Sequence, residues 1–349
     1  MQFKRVCSPG EGVTGLGGRF FEKGWTVRES GKQTPRYEIE VPGNVRLALM
    51  KAGIILDPFI LQQNEQSKWV STVAWEYENN LDYSNWETEL LNKIPMGGLV
   101  HLVFDAIDYD ATFILNHEKI CRQVGMFSPI DIITGITPEQ KSNQNQVPIK
   151  VHFNVQPFWR QHAVKSQMAF GWDFAPEIRT VGIWKNVRMH YTGAAFFTEA
   201  YAIAAPINPK NVENCQAKLK LNICIDCIDP ASLTPVKGAQ SAEIQLKTDF
   251  FEQSLPINFT PGSPISIDCG EVEIPLWSPW SLGKPIIIPI TVSLLWNGNV
   301  SDEYRGTIMN RQIKWLRNPG SFPGNENWTL SINSKPIFVR GIKDRKSVV

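Results

Sequence analysis

The chain has 349 residues, of which 42% are hydrophobic, enough for two or more domains with their own cores. Lysine and arginine total 35, aspartate and glutamate total 34, and the formal net charge is +1. This balance argues against nucleic acid or an anionic membrane as partner, because both select strongly basic surfaces. The longest apolar stretch, residues 286–296, contains Pro289 and is too short to cross a bilayer.

The sequence does not identify the cellular compartment in which the protein works. The N-terminus carries Lys4 and Arg5, but no apolar segment follows them, so no signal peptide is predicted. Either the protein is cytoplasmic, or its natural start lies upstream and the mature protein is lysosomal or secreted. Six scattered cysteines are too few to predict a disulfide scaffold.

One helix is predicted near the start of the chain. Asn44 can cap it, apolar residues follow at helical spacing over 45–52, and Gly53 can end it. Beyond the helix the apolar period changes to two, which indicates half-buried strands. These predicted strands cover residues 100–104, 112–115, 147–155 and 183–191.

A second block of strands begins after residue 193. Its alternating apolar residues predict strands at 219–225, 244–248, 265–269 and 286–296. The last of these leads into Asn297-Gly298, a pair that favours a tight β-hairpin. Short strands at this spacing over about a hundred residues are typical of an immunoglobulin-like sandwich. A Pro/Gly-rich linker and one more predicted hairpin follow, at 318–325 and 328–339.

The strongest candidate for a binding site is the segment Phe170–Pro176, which lies in a loop between predicted strands. Trp172 offers a flat apolar face, and Asp173 offers a charged hydrogen-bond acceptor. These are the two kinds of group that hold a sugar ring. Two plainer interpretations stay open: the tryptophan could serve packing alone, and Arg179 could pair with Asp173 in a purely structural ion pair.

No cofactor and no metal site is predicted. Cys224 and Cys227 have zinc-ribbon spacing, but no second pair follows. Their offset of three along an alternating strand would also point the two thiols to opposite faces. The five histidines show no ligand spacing.

A series of short motifs, in this order and spacing, resembles glycoside hydrolase family 2, and within it the β-mannosidase branch. The motifs are Gly24-Trp25, Val41–Val45, Gly53–Phe59, Asn64-Glu65, Lys68–Ser71, Trp75–Tyr77, Phe104–Asp108, Leu115-Asn116, Phe170–Pro176, Leu276–Pro279, Gly283–Pro285 and Pro336–Gly341. Two places depart from the family pattern. Phe174-Ala175 stands where a second Trp and a Gly are usual, and Met309–Arg311 replaces a more usual Gly-Phe-Arg type of ending.

The resemblance implies a mainly β fold in three parts. An N-terminal jelly-roll (galactose-binding-like) β-sandwich would cover residues 1–193, and an immunoglobulin-like β-sandwich residues 194–317. Residues 318–343 would be a linker and the first strand of a TIM barrel whose remainder is missing. Residues 344–349 do not continue the family pattern and resemble a translated sequencing adapter, so a non-native tail is expected there.

The resemblance also implies retaining hydrolysis of a terminal β-linked mannose from a glycan. That chemistry needs two carboxylic acids about 5 Å apart, in this family two glutamates on a barrel of roughly 250 residues. No residue of this chain is therefore assigned a catalytic role, and the chain alone is expected to be inactive. Asp173 would accept hydrogen bonds from sugar hydroxyls, with Trp172 as an apolar wall.

Two alternatives to a β-mannosidase remain at this point. The chain could be a stand-alone, non-catalytic carbohydrate-binding protein. It could also belong to a family 2 hydrolase of another specificity, such as a β-galactosidase, β-glucuronidase or glucosaminidase. The oligomeric state is not predicted.

Overall fold

The structure is a computed structural model that describes most of the chain. The described residues are 3–5, 13–60, 63–81, 98–135, 146–209, 215–320, 322, 324 and 327–339. The expected non-native tail at 344–349 and the end of the last predicted motif, Arg340-Gly341, lie outside them. In the ranges just given, no helix is long and apolar enough to cross a membrane.

Helices are few in the described part of the chain, and strands dominate it. The helical elements are α1 (Val45–Lys51), α2 (Gln63–Gln66) and 3₁₀ turns at Lys68–Ser71, Arg160–His162 and Gln167–Phe170. The strands of the first half are β1 (Phe3–Arg5), β2 (Val13–Thr14), β3 (Gly17–Phe20), β4 (Thr26–Glu29), β5 (Tyr37–Glu38), β6 (Trp75–Leu81), β7 (Leu99–Phe104), β8 (Asp110–Leu115), β9 (Glu118–Val124), β10 (Ile130–Gly135), β11 (Val147–Phe153) and β12 (Val187–Thr192). Those of the second half are β13 (Ala195–Pro206), β14 (Gln216–Asp229), β15 (Thr234–Pro235), β16 (Gln240–Lys247), β17 (Glu252–Phe259), β18 (Pro264–Glu273), β19 (Ile288–Trp296), β20 (Asn299–Ile308), β21 (Ile313–Arg317), β22 (Trp328–Ile332) and β23 (Lys335–Ile337).

Helix α1 confirms the helix predicted from the sequence. The side-chain oxygen of Asn44 accepts a hydrogen bond from the backbone amide of Leu47 at 3.3 Å. This bond satisfies one of the amides that a helix N-terminus leaves without a partner. Gly53, just past the end, has φ 71°, in the left-handed region that favours glycine.

Replacing Asn44 with alanine should lower the free energy of unfolding by about 1 kcal/mol, because the cap is lost. Asn44→Asp keeps a side-chain acceptor and should cost clearly less. Urea denaturation followed by circular dichroism measures both variants. Equal losses for the two variants would show that the cap does not stabilise α1.

The first sandwich packs a five-stranded sheet, in the order β1-β10-β7-β12-β3, on a six-stranded sheet, in the order β5-β4-β6-β11-β8-β9. Its shared core is rich in aromatic rings that meet edge to face. Phe104 lies 6.3 Å from Trp25 and 4.9 Å from Phe113, measured between ring centroids. The mainly β sandwich fold expected from the sequence is confirmed.

The second sandwich packs the sheet formed by β13, β14, β15 and β18 on a sheet with the order β17-β16-β19-β20-β2. Asn297 and Gly298 have φ values of 51° and 79° between β19 and β20, as the predicted hairpin requires. Strand β21 does not join this sandwich. It pairs with β22, which pairs with β23, in a separate three-stranded sheet.

The segment of residues 13–20 belongs to both sandwiches. Strand β2 pairs with β20 of the second sandwich, whereas β3 pairs with β12 of the first. Between them, the Gly15 amide donates to the Asp302 carboxylate at 2.7 Å. The same buried carboxylate accepts the amides of Phe197 and Glu303, both at 2.7 Å. Asp302 therefore ties three segments together at the junction of the sandwiches.

Two histidines of the first sandwich lie near this junction. His101 stacks on His190 with ring centroids 4.6 Å apart, and it contacts Asp131 at 2.8 Å and Thr192 at 3.0 Å. The His101 ring also meets the Phe196 ring of β13 edge to face at 4.7 Å. Burial, and then the neighbouring His101, lower the pKa of His190 to about 3, so this ring is neutral.

Candidate functional site

Trp172 and Asp173 lie on a tight turn in the loop that joins β11 to β12. The Trp172 amide donates to the Ala175 carbonyl at 3.0 Å, and the Ala175 amide donates back at 3.2 Å. Gly171 enters the turn with φ 83°, a conformation that a residue with a Cβ rarely adopts. Asp173 and Phe174 therefore stand at the tip of the turn, both exposed to solvent.

The Asp173 carboxylate is available to a ligand. Among the described residues, none forms a hydrogen bond or an ion pair with it. Arg179, a candidate structural partner, instead contacts Glu177 at 2.8 Å and donates to the Pro157 carbonyl at 3.0 Å. The alternative of a structural Arg179–Asp173 pair is therefore not what the structure contains.

Two exposed aromatic residues that sequence reasoning missed lie in the same loop. Phe158 and Trp159 are 67% and 60% exposed, and their rings meet edge to face at 4.7 Å. The Arg160 guanidinium lies over the Trp172 ring at 5.6 Å, and Arg179 lies over Phe158 at the same distance. The sequence signal was the aromatic pair in the loop directly after β11.

We call Phe158, Trp159, Trp172 and Phe174 the aromatic rim. Trp172 is 54% exposed and Phe174 is 61% exposed. Exposed aromatic faces next to a carboxylate without a partner can bind the apolar face of a sugar while the acid holds its hydroxyls.

A buried ion pair anchors the loop that carries the rim. Lys165 pairs with Asp108, and its ammonium group also donates to the Thr180 carbonyl at 2.8 Å. The Thr180 hydroxyl donates to Asp108 at 2.6 Å. Burial lowers the pKa of Lys165 and raises that of Asp108, and the attraction between the two charges opposes both shifts. The middle of the loop is thus tied to the core of the first sandwich.

A second buried cation fixes the end of the loop. Arg46 of helix α1 donates to the carbonyl and the hydroxyl of Ser67, at 2.7 and 2.8 Å, and to the Ser71 hydroxyl at 3.0 Å. Ser71 in turn donates to the Arg179 carbonyl at 2.8 Å. Burial, followed by repulsion from Arg179, lowers the pKa of Arg46 to about 10, so the group stays charged at neutral pH. These bonds tie Arg179, four residues past the Trp172–Ala175 turn, to helix α1.

Trp184 serves packing. Its indole N–H donates to the Met126 carbonyl at 2.9 Å, and its ring meets Phe127 edge to face at 6.3 Å.

The carboxylates of the loop 154–180 are Asp173 and Glu177, and Glu177 forms an ion pair with Arg179. This arrangement suits binding rather than acid–base chemistry. Across the described ranges, no group of three or more His, Cys, Asp or Glu side chains is placed to hold a metal ion.

Comparison with known proteins agrees with this fold. Residues 25–185 match the family described as glycosyl hydrolase 2 galactose-binding domain-like. The β-mannosidases of Rattus norvegicus and Capra hircus are 23% and 25% identical over 95% and 91% of the chain. A β-D-mannosidase structure from Dictyoglomus thermophilum superimposes with a TM-score of 0.69 at 20% identity, covering 93% of the chain.

The sandwich fold and the family match agree on a glycosyl hydrolase 2 galactose-binding-like domain over residues 25–185. Two relatives matched along most of the chain, from rat and goat, are β-mannosidases. The chain spans 39% and 37% of the length of the rat and goat proteins, and 40% of the Dictyoglomus structure.

Proposed function

We propose that the chain is the N-terminal part of a retaining glycosidase that removes terminal β-linked mannose from glycans. The observation that carries this proposal is the exposed Asp173 carboxylate, without a described partner, next to the exposed Trp172 on a tight turn. The similarity to β-mannosidases along more than nine tenths of the chain supports the choice of sugar.

In this proposal Asp173 accepts hydrogen bonds from hydroxyls of the terminal sugar, and Trp172 covers an apolar face of the ring. The two glutamates that retaining chemistry needs, about 5 Å apart, come from residues other than these 349. Residues 1–193 form the sugar-binding domain and 194–317 the immunoglobulin-like domain. Residues 318–343 lead into the catalytic barrel.

Asp173→Asn in the complete enzyme should lower kcat/KM for an aryl β-mannoside by about 10- to 100-fold, because a charged hydrogen bond to a hydroxyl contributes about 1.5–3 kcal/mol. The thermal midpoint should not change, since Asp173 is exposed. Glu118→Gln, which alters an exposed acid on a distant hairpin, is the matched control. An unchanged kcat/KM for Asp173→Asn would show that Asp173 does not bind the sugar.

The 349-residue chain alone should not hydrolyse an aryl β-mannoside. Turnover by the isolated chain would contradict the placement of the catalytic glutamates elsewhere. The complete enzyme should hydrolyse the β-mannoside faster than the matched β-galactoside, β-glucuronide or β-glucosaminide. If one of these three substrates reacted faster, its sugar rather than mannose would be the substrate sugar, and the protein would still be a glycosidase.

A further inference from the structure

A polar cleft opens on the outer face of the six-stranded sheet. Its volume is about 750 Å³, within the range of sites that bind small molecules. Ile114 and Pro148 contribute apolar surface to it, and Arg36, Asn80 and His117 contribute polar groups. His117 is held at the β8–β9 turn with φ 67°.

The cleft is separate from the Asp173 turn. Strand β11 passes the cleft at Pro148 and Lys150, near its first residues, and enters the loop with the aromatic rim only after Phe153. The cleft and the rim therefore lie toward opposite ends of the same strand. A ligand in the cleft does not need the sugar site proposed above.

Three cations in the lining of the cleft share one carboxylate. One oxygen of Glu78 lies 2.7 Å from Arg36, and the other lies 3.3 Å from both Arg28 and Lys150. A second carboxylate, Glu76, does not line the cleft. It contacts Arg28 at 2.8 Å and Lys150 at 3.4 Å, and its side chain is only 13% exposed. The lining itself therefore carries an excess of positive charge.

A plain interpretation is that these residues are cross-strand ion pairs on a solvated sheet face. That interpretation accounts for Arg28 and Lys150, which lie opposite Glu76 and Glu78 in the strand register. It does not account for Arg36, which lies outside the strands of the sheet and adds a third cation to a carboxylate already shared by two. The Arg36 side chain is 56% exposed, and its planar fork of N–H groups has more donors than Glu78 can use.

We propose that this cleft is a second saccharide site, which binds an oligosaccharide carrying a carboxylate group. The guanidinium of Arg36 and the ammonium of Lys150 would bind the carboxylate, since charge-assisted bonds to a carboxylate are the strongest these groups form. Asn80 and His117 would bind hydroxyls, and Ile114 and Pro148 would contact the apolar face of a ring. The proposal is independent of the function assigned to Asp173.

Isothermal titration of the 349-residue chain with tetragalacturonate, and with mannotetraose as the neutral match, tests the proposal. The acidic tetrasaccharide should bind in saturable fashion and weaken as salt is added. Arg36→Gln and Lys150→Gln should each weaken binding by about tenfold or more, the loss expected for one charge-assisted hydrogen bond. Arg305→Gln, which alters an exposed arginine of the second sandwich, and Asp173→Asn should leave it unchanged.

Several results would overturn the proposal. The proposal is wrong if tetragalacturonate does not bind, or if it binds no more tightly than mannotetraose. Acetate that displaces the tetrasaccharide at an equal carboxylate concentration would show an unspecific anion site. Unchanged affinity in a folded Arg36→Gln variant would place the ligand elsewhere. None of these results changes the expected effect of Asp173→Asn on turnover.

Discussion

Replacing Lys165 with methionine should lower the free energy of unfolding of the first sandwich by about 3–5 kcal/mol. The substitution keeps the bulk of the side chain but leaves the Asp108 carboxylate buried without its countercharge, and a buried charge that loses its partner costs about this much. Urea denaturation at neutral pH, followed by tryptophan fluorescence, measures the change. The loss should shrink in acid, because burial raises the pKa of Asp108 and a protonated carboxyl needs no countercharge.

Two further variants test whether the loss comes from the buried ion pair itself. Lys185→Met removes an exposed lysine that lies 5.0 Å from the Trp184 ring centroid, and it should cost no more than about 1 kcal/mol. The double variant Lys165→Met/Asp108→Leu should recover part of the loss, since an apolar pair of similar volume often replaces a buried ion pair without penalty. If Lys165→Met cost no more than Lys185→Met, the buried pair would not be what anchors the loop.

Asp302→Ala should lower the free energy of unfolding by about 3 kcal/mol or more. Hydrogen bonds from the backbone amides of Gly15, Phe197 and Glu303 would be lost, although Gly15 also donates to the Glu303 carbonyl at 3.0 Å. A hydrogen bond to a charged group contributes about 1.5–3 kcal/mol. Hydrogen exchange should show faster exchange of the Gly15 and Phe197 amides. Glu271→Gln, at an exposed acid of β18, is the control, and equal exchange rates in the two variants would contradict the role given to Asp302.

The same carboxylate should make stability depend on pH. Burial raises the pKa of Asp302 to about 7, although the three amides and His101 oppose this shift. The folded protein therefore holds this proton to higher pH than the unfolded chain does. The contribution of Asp302 to the free energy of unfolding must then fall as pH rises from about 4 to about 7. Comparison of wild type with Asp302→Asn across this range isolates that slope, and parallel curves would contradict it.

His190 should make the free energy of unfolding depend on pH in the opposite direction. Its pKa in the folded protein is about 3, below the usual value of 6.5, so the unfolded chain binds the proton first as pH falls. Its contribution to stability is therefore complete above about pH 6.5 and is lost as pH falls toward 3. His190→Asn should remove this loss, and its effect should be separable from that of Asp302→Asn.

The sequence predicted the local elements well, because their signals are local. Asn44 and Gly53 marked the ends of α1, and Asn297-Gly298 marked the β19–β20 hairpin. Alternating apolar residues marked β11 and the long strands of the second sandwich. In each case the residues that form the element also carry the pattern.

Features that depend on distant contacts were not predictable in this way. Arg179 and Asp173 are six positions apart, yet the guanidinium is directed to Glu177 and Pro157 by the path of the loop. No periodic pattern predicts that Arg160 lies over the Trp172 ring. The pairing of Lys165 with Asp108 joins residues 57 positions apart, and nothing near either residue encodes it. Such contacts follow from the tertiary arrangement rather than from the order of neighbours.

The pairing of β2 with β20 has a consequence for the order in which the chain is made. Gly15 leaves the ribosome 287 residues before its acceptor Asp302. The segment of residues 13–20 must therefore wait for its pairing with β20 until nearly the whole second sandwich has been synthesised. A cut between residues 193 and 194 would likewise leave the second half without a strand that only the first half supplies. The two sandwiches are successive in the sequence but are completed together.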